Sequence, residues 1–81
     1  MAAGEEWKQE GDALVRDLEF DDFKSAMAAV NRVAEVAEEV NHHPDILVHG
    51  YNRVRLKLTT HSESRVTDAD RDMAGRIDKI L

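Results

Sequence analysis

The sequence predicts an α+β fold, a two-layer sandwich of a four-stranded antiparallel sheet with helices on one face, in the order ββαββα. Three observations carry this reading. Residues 14–20 and 53–60 alternate with the period of a strand. Residues 23–40 repeat apolar side chains at steps of three and four, and a shorter helical stripe runs from Ala69 to Ile80. Antiparallel strands with helices packed on one side make such a layered domain.

Trp7 opens a short segment that stops at the turn pair Gly11-Asp12. Leu14, Arg16, Leu18 and Phe20 form one alternating set, and Val15, Asp17 and Glu19 form the other, which suits a strand with one buried face. Residues 7–20 therefore read as a loose hairpin. From Phe23 the period changes to that of a helix, with Phe23, Ala26, Met27, Val30, Val33, Ala34, Ala37 and Val40 on one stripe. Asp21 or Asp22 is placed to cap its start, where a carboxylate also meets the positive end of the helix dipole. Its stop is expected near Asn41, a residue that tolerates left-handed backbone, because Pro44 pushes the chain before it out of helical geometry.

Ile46-Leu47-Val48 is a brief apolar run, followed by Gly50 as a turn. Val54, Leu56, Leu58 and Thr60 then alternate with Arg53, Arg55, Lys57 and Thr59, predicting a strand with a buried face and a cationic outer face. Thr67 opens the last helix, with Asp70 three residues on as the reciprocal partner of a capping box. Ala69, Met73, Ile77 and Ile80 supply its apolar stripe.

Eighty-one residues make one domain, spanning 1–81, and a chain this short has a thin core that self-association often supplements. It contains no cysteine, which removes disulfides and thiolate metal sites and fits a reducing compartment such as the cytoplasm. The net charge of −6 disfavours direct binding to nucleic acid. No apolar stretch approaches membrane-span length. The segment Met1-Ala2-Ala3-Gly4-Glu5-Glu6 has neither the basic nor the apolar region of a signal peptide.

The chemistry-bearing residues are histidines. His42 and His43 follow the long helix beside Pro44, and His61 ends the best strand, on the face opposite Val54, Leu56 and Leu58. A helix end and a strand end can meet at one edge of a two-layer domain, gathering distant imidazoles into one cleft. Imidazole gives and takes protons near neutrality, and eliminating water needs both actions. Glu38 and Asp70 are placed to orient an imidazole or raise its basicity. Spacing alone leaves three readings open: surface cations complementing the helix dipole, a proton-transfer site, and a metal site lacking a distinctive ligand motif. His49 reads as a loop residue outside the site.

The run Val33-Ala34-Glu35-Val36-Ala37-Glu38-Glu39-Val40-Asn41-His42-His43-Pro44, then Tyr51-Asn52-x-Val54, Leu58-Thr59-Thr60-His61 and Thr67-Asp68-Ala69-Asp70, resembles the pterin-4a-carbinolamine dehydratases. Trp7 and the pair Phe20-x-x-Phe23 with Ala26 match upstream, so the resemblance covers nearly the whole chain. It implies a four-stranded antiparallel sheet with helices on one face. It implies a hydro-lyase that dehydrates 4a-hydroxytetrahydropterin to the quinonoid dihydropterin, recycling tetrahydrobiopterin beside aromatic amino-acid hydroxylases. The site it implies is His42, His43 and His61, with Glu38 and Asp70 in support and neither metal nor bound cofactor. His42 and His61 would share the acid and base work, and His43 would bind or orient the pterin. Homodimers or homotetramers are implied through the sheet edge and helices. A non-catalytic role as a dimerisation or regulatory module is the alternative, since relatives also partner a homeodomain transcription factor. The chain departs from the pattern in three places. Six residues precede Trp7 where many members have a helix, Arg65-Val66-Thr67 replaces a Gly-Leu-Thr type of run, and Asp45-Ile46-Leu47 lacks the aromatic often found soon after the proline.

Overall fold

The computed structural model describes residues 3, 4 and 6–81. Met1, Ala2 and Glu5, part of the segment read above for a signal peptide, lie outside the described residues. The elements are β1 (Ala3–Gly4), β2 (Lys8–Glu10), β3 (Ala13–Glu19), α1 (Phe23–Val40), β4 (Asp45–His49), β5 (Arg53–Leu58) and α2 (Asp68–Ile80). β1 and β2 both pair antiparallel with β3, at opposite ends of it, and so form one row in two pieces. The sheet thus has four antiparallel rows in the order β1/β2, β3, β5, β4, as expected.

Local chemistry accounts for the boundaries. Glu10 pairs with Ala13 across Gly11-Asp12, and only the first of these two has a positive φ (61°), the signature of a type II′ hairpin turn. β3 and β5 align Leu14 with Leu58, Arg16 with Leu56 and Leu18 with Val54 on the helix side. On the outer side Glu19 lies opposite Arg53 and Asp17 opposite Arg55, and Arg55 also bonds Glu10 at 3.0 Å. The expected cationic face is therefore neutralised by its own neighbours. Val15, assigned above to the outward set with Asp17 and Glu19, is 4% exposed. It sits in register between Lys8 and Lys57, whose long aliphatic stems suit the covering of an apolar neighbour.

The core lies between the sheet and the two helices, where Leu18, Phe20, Val54, Leu56 and Leu58 meet Ala26, Ala29, Val33, Ala37, Met73, Ala74 and Ile77. The stripe of α1 differs from expectation at three positions: Phe23 is 53% exposed, Ala34 is exposed, and Ala29 is buried. Alanines at 26, 29 and 37 let the helix approach the sheet closely, which favours small residues over the most hydrophobic one. In α2, likewise, Ala69 is exposed while Asp70 and Ala74 are buried. Trp7 joins the two ends of the chain: its indole N–H donates to Asp78 Oδ1 at 2.8 Å, and Arg16 meets the same oxygen at 2.6 Å. His49, expected in a loop, is the last residue of β4 and pairs with Arg53. Among the described residues no helix is long and apolar enough to cross a membrane.

Candidate active site

The end of α1 fixes the first part of the site. Asp22 caps the helix start by accepting from the Ser25 N–H at 2.7 Å, and that bond holds its carboxyl below the usual range. At the other end Asn41 turns left-handed (φ 53°, ψ 44°), and the N–H groups of Asn41 and His42 both donate to the Ala37 carbonyl. His42 and His43 therefore stand on a short connector closed by the helix cap on one side and by β4 on the other.

His42 Nε2 lies 2.6 Å from Asp70 Oδ1. Asp70 is fully buried, and its second oxygen accepts from Thr60 Oγ1 at 2.7 Å and from the Thr67 backbone N–H at 2.9 Å. The last bond is the expected capping contact at the start of α2. Burial alone would raise this carboxyl, but the bonds from His42, the Thr67 N–H and Thr60 outweigh it and hold it below its ordinary value of 3.8. Asp70 is thus an anion at neutral pH and can only accept. The proton in its contact with His42 therefore sits on Nε2, which leaves Nδ1 as the ring nitrogen available for exchange with a substrate.

His43 turns the other way and meets Glu38 through Nε2. Both partners are largely exposed, with side-chain accessibilities of 55% and 76%. Glu38 thus partners the second histidine of the run. β5 ends at Leu58, so His61 does not end the strand, as predicted, but begins the turn beyond it. The reason is that β3 runs out at Ala13, leaving Leu14 and Leu58 as the last pair of the ladder. The Thr60 N–H then turns to the Arg65 carbonyl at 3.1 Å, closing a loop on itself. His61 is exposed on that loop, directly after the threonine that binds Asp70. Thr59, expected to face outward, is 8% exposed and donates to the Asp12 carbonyl at 2.5 Å.

The connectors therefore bring His42 to Asp70 and His43 to Glu38, and they carry His61 on the loop that follows Thr60. Sequence reasoning missed the polar residues that fasten the two ends of β5, Thr60 at the site and Asn52 at the opposite end beside Phe20. Thr60 shares the parity of Val54, Leu56 and Leu58, and a hydroxyl on the buried side of a strand end signals a partner inside. Asn52 is the other. Its side-chain amide donates to the Phe20 carbonyl at 2.9 Å while the Phe20 N–H donates to the Asn52 carbonyl at 2.8 Å, extending the β3–β5 ladder past its last strand pair. Among the described residues no group of three or more His, Cys, Asp or Glu is arranged to hold a metal ion.

Residues 1–80 match the family described as pterin 4 alpha carbinolamine dehydratase. A Thermomicrobium roseum protein provisionally assigned as such a dehydratase is 51% identical over 74 residues, which are 91% of this chain and 78% of that one. A Chloroflexus aurantiacus protein with the same provisional assignment is 42% identical over 81 residues, or 100% of this chain and 86% of that one. A crystal structure from Brucella melitensis, named as a transcriptional coactivator/pterin dehydratase, superposes with a TM-score of 0.84 at 37% identity. It covers 91% of this chain and 80% of that one. A pterin dehydratase-like RuBisCO assembly factor of the alpha-carboxysome shares the fold at a TM-score of 0.72 and 23% identity, covering 90% of this chain and 83% of that one. Family match, relatives and fold agree over nearly the whole chain, which belongs to the pterin-4-alpha-carbinolamine dehydratase family.

Proposed function

We propose that this chain dehydrates 4a-hydroxytetrahydropterin to the quinonoid dihydropterin, with His42 and His61 as the proton-transfer pair. The observation that supports this reading most is the contact between His42 and the buried, ionised Asp70. A histidine serving only as a helix-end cation has no need of a carboxylate taken wholly out of water. One orienting partner beneath an imidazole is what general acid–base catalysis calls for.

In the reaction the carbinol C–O bond breaks as its oxygen takes a proton and leaves as water. The neighbouring ring nitrogen loses its proton, and the freed electron pair closes the C=N bond. No oxidant, reductant or metal enters this balance. His42 through Nδ1 handles one of the two protons and His61 the other, while His43, held by Glu38, orients the pterin. The test is to follow loss of the 4a-hydroxypterin absorbance with the purified protein and with His42→Ala and His61→Ala. Each substitution is expected to lower kcat by about 10²–10⁴-fold. A wild-type rate no faster than the uncatalysed reaction rejects the proposal.

Self-association belongs to the same proposal. The outer edge of β4 pairs with no strand among the described residues, and Leu47 on it is 54% exposed. A homodimer or homotetramer in the cytoplasm is the expected form, and sedimentation as a 9.2 kDa monomer at micromolar concentration contradicts it.

The second reading is a non-catalytic interaction module. It draws on the coactivator half of the Brucella protein's name and on a groove along the α1–α2 seam lined by Val36, Glu39, Arg71, Gly75, Lys79 and Ile80. A stable partner whose binding survives both histidine substitutions favours it.

A further inference from the structure

We propose that Thr60 is a positioning residue for the reaction: its hydroxyl, donating to Asp70, locks the carboxylate that in turn sets the orientation and tautomer of His42. The inference rests on the dehydratase reading for its kinetic consequence, but its structural part stands without it.

Proton counting gives the direction of the bonds. Thr60 Oγ1 lies 2.7 Å from Asp70 Oδ2 and 2.7 Å from Thr67 Oγ1. A hydroxyl has one proton to give, and an ionised carboxylate has none. Thr60 must therefore donate to Asp70, and Thr67 must donate to Thr60. The chain of donors runs in one direction, from Thr67 Oγ1 to Thr60 Oγ1 to Asp70 Oδ2. Asp70 Oδ1 then receives the proton of His42 Nε2 at 2.6 Å. The capping of α2 uses the Thr67 N–H on Oδ2 and, reciprocally, the Asp70 backbone N–H on Thr67, neither of which needs Thr60. Without Thr60 the helix keeps its cap, but the carboxylate loses one of the two bonds that fix its second oxygen, and so its rotation.

Thr60 is also where the two flanks of the site are joined. Its backbone N–H closes the loop carrying His61 through the Arg65 carbonyl, while its side chain reaches the carboxylate under His42. One residue thus couples the placement of both proposed proton-transfer groups. A partner that orients a reacting imidazole without touching substrate is expected to act on kcat and to leave KM unchanged.

The test compares wild type, Thr60→Val and Thr60→Ser in the full chain by the ¹⁵N shifts of the His42 ring, measured above its titration, and by kcat and KM. Wild type and Thr60→Ser are expected to hold the Nε2-protonated tautomer. Thr60→Val is expected to show a mixture of tautomers and a kcat lower by on the order of tenfold, with KM unchanged and Thr60→Ser restoring the rate. A Thr60→Val protein with the wild-type tautomer and a kcat within about twofold of wild type overturns the proposal, by the measure of a negligible free-energy change. If the valine variant does not fold, Thr60→Ala is read in its place, and there too a wild-type tautomer with a kcat within about twofold of wild type overturns the proposal. If wild type has no dehydratase activity, the function fails while the tautomer measurement still judges the role of Thr60.

Discussion

His42 and His43 are neighbours in sequence, yet the chain treats them in opposite ways. His42 turns inward onto Asp70, which is wholly buried and bound by two further donors. His43 turns outward onto Glu38, and both members of that pair keep more than half of their side-chain surface in water. In low dielectric a carboxylate without donors is costly, so the inner pair has a defined geometry. In water a similar pair gains little, pays side-chain entropy and is weakened by salt. Adjacent imidazoles thus become one rigid group and one adjustable group. That division suits a site in which one ring exchanges a proton at a fixed atom while its neighbour adapts to a bound ring system.

The largest expected effect comes from breaking the inner pair. Asp70→Asn leaves His42, Thr60 and the Thr67 N–H around a neutral amide that cannot accept from all three, and should cost about 2 kcal/mol in urea unfolding at pH 7. A loss below about 1 kcal/mol would mean that the carboxylate is not held as described.

Acid should narrow the gap between wild type and Asp70→Asn. The folded-state pKa of Asp70 lies below the ordinary 3.8, so its contribution is complete above that value and is lost as the pH falls through the depressed one. Equilibrium unfolding between about pH 5 and pH 3 is expected to show the gap in full at the upper end and closing below about pH 4. A gap that grows as the pH falls from about 5 to 3 has the wrong sign for a depressed carboxyl.

The outer pair should respond least. Glu38→Ala is expected to change stability by no more than about 0.5 kcal/mol, and added salt should shrink even that. Its effect should appear in KM. A loss of stability equal to that of Asp70→Asn would erase the distinction between the two pairs.

Much of this arrangement is legible in the sequence because it is local. Asp22 and Asn41 bound α1 by capping rules, Gly11-Asp12 makes the hairpin turn, and Thr67 with Asp70 forms the back-bond of a capping box. What local rules miss depends on where elements stop relative to one another. His61 leaves the strand because β3 ends one residue past Leu14, which pairs with Leu58, a fact of register. Phe23, the first residue of α1, is exposed while the alanines at 26, 29 and 37 are buried, so the stripe that meets the sheet is not the most hydrophobic one. Partner choice is also tertiary: Asp70 and Glu38 are both candidate carboxylates for an imidazole, but only the fold assigns one to each histidine. The same holds for Thr60, whose hydroxyl acquires meaning when the start of α2 packs beside the end of β5.

The division between the two histidines is tested most directly by steady-state kinetics of His42→Gln and His43→Gln, side by side on 4a-hydroxytetrahydropterin. The expected result is a kcat lower by about 10²-fold or more for His42→Gln at near-normal KM. For His43→Gln it is a raised KM with kcat largely kept. Equal losses in kcat for the two variants, or the reverse pattern, would contradict the account.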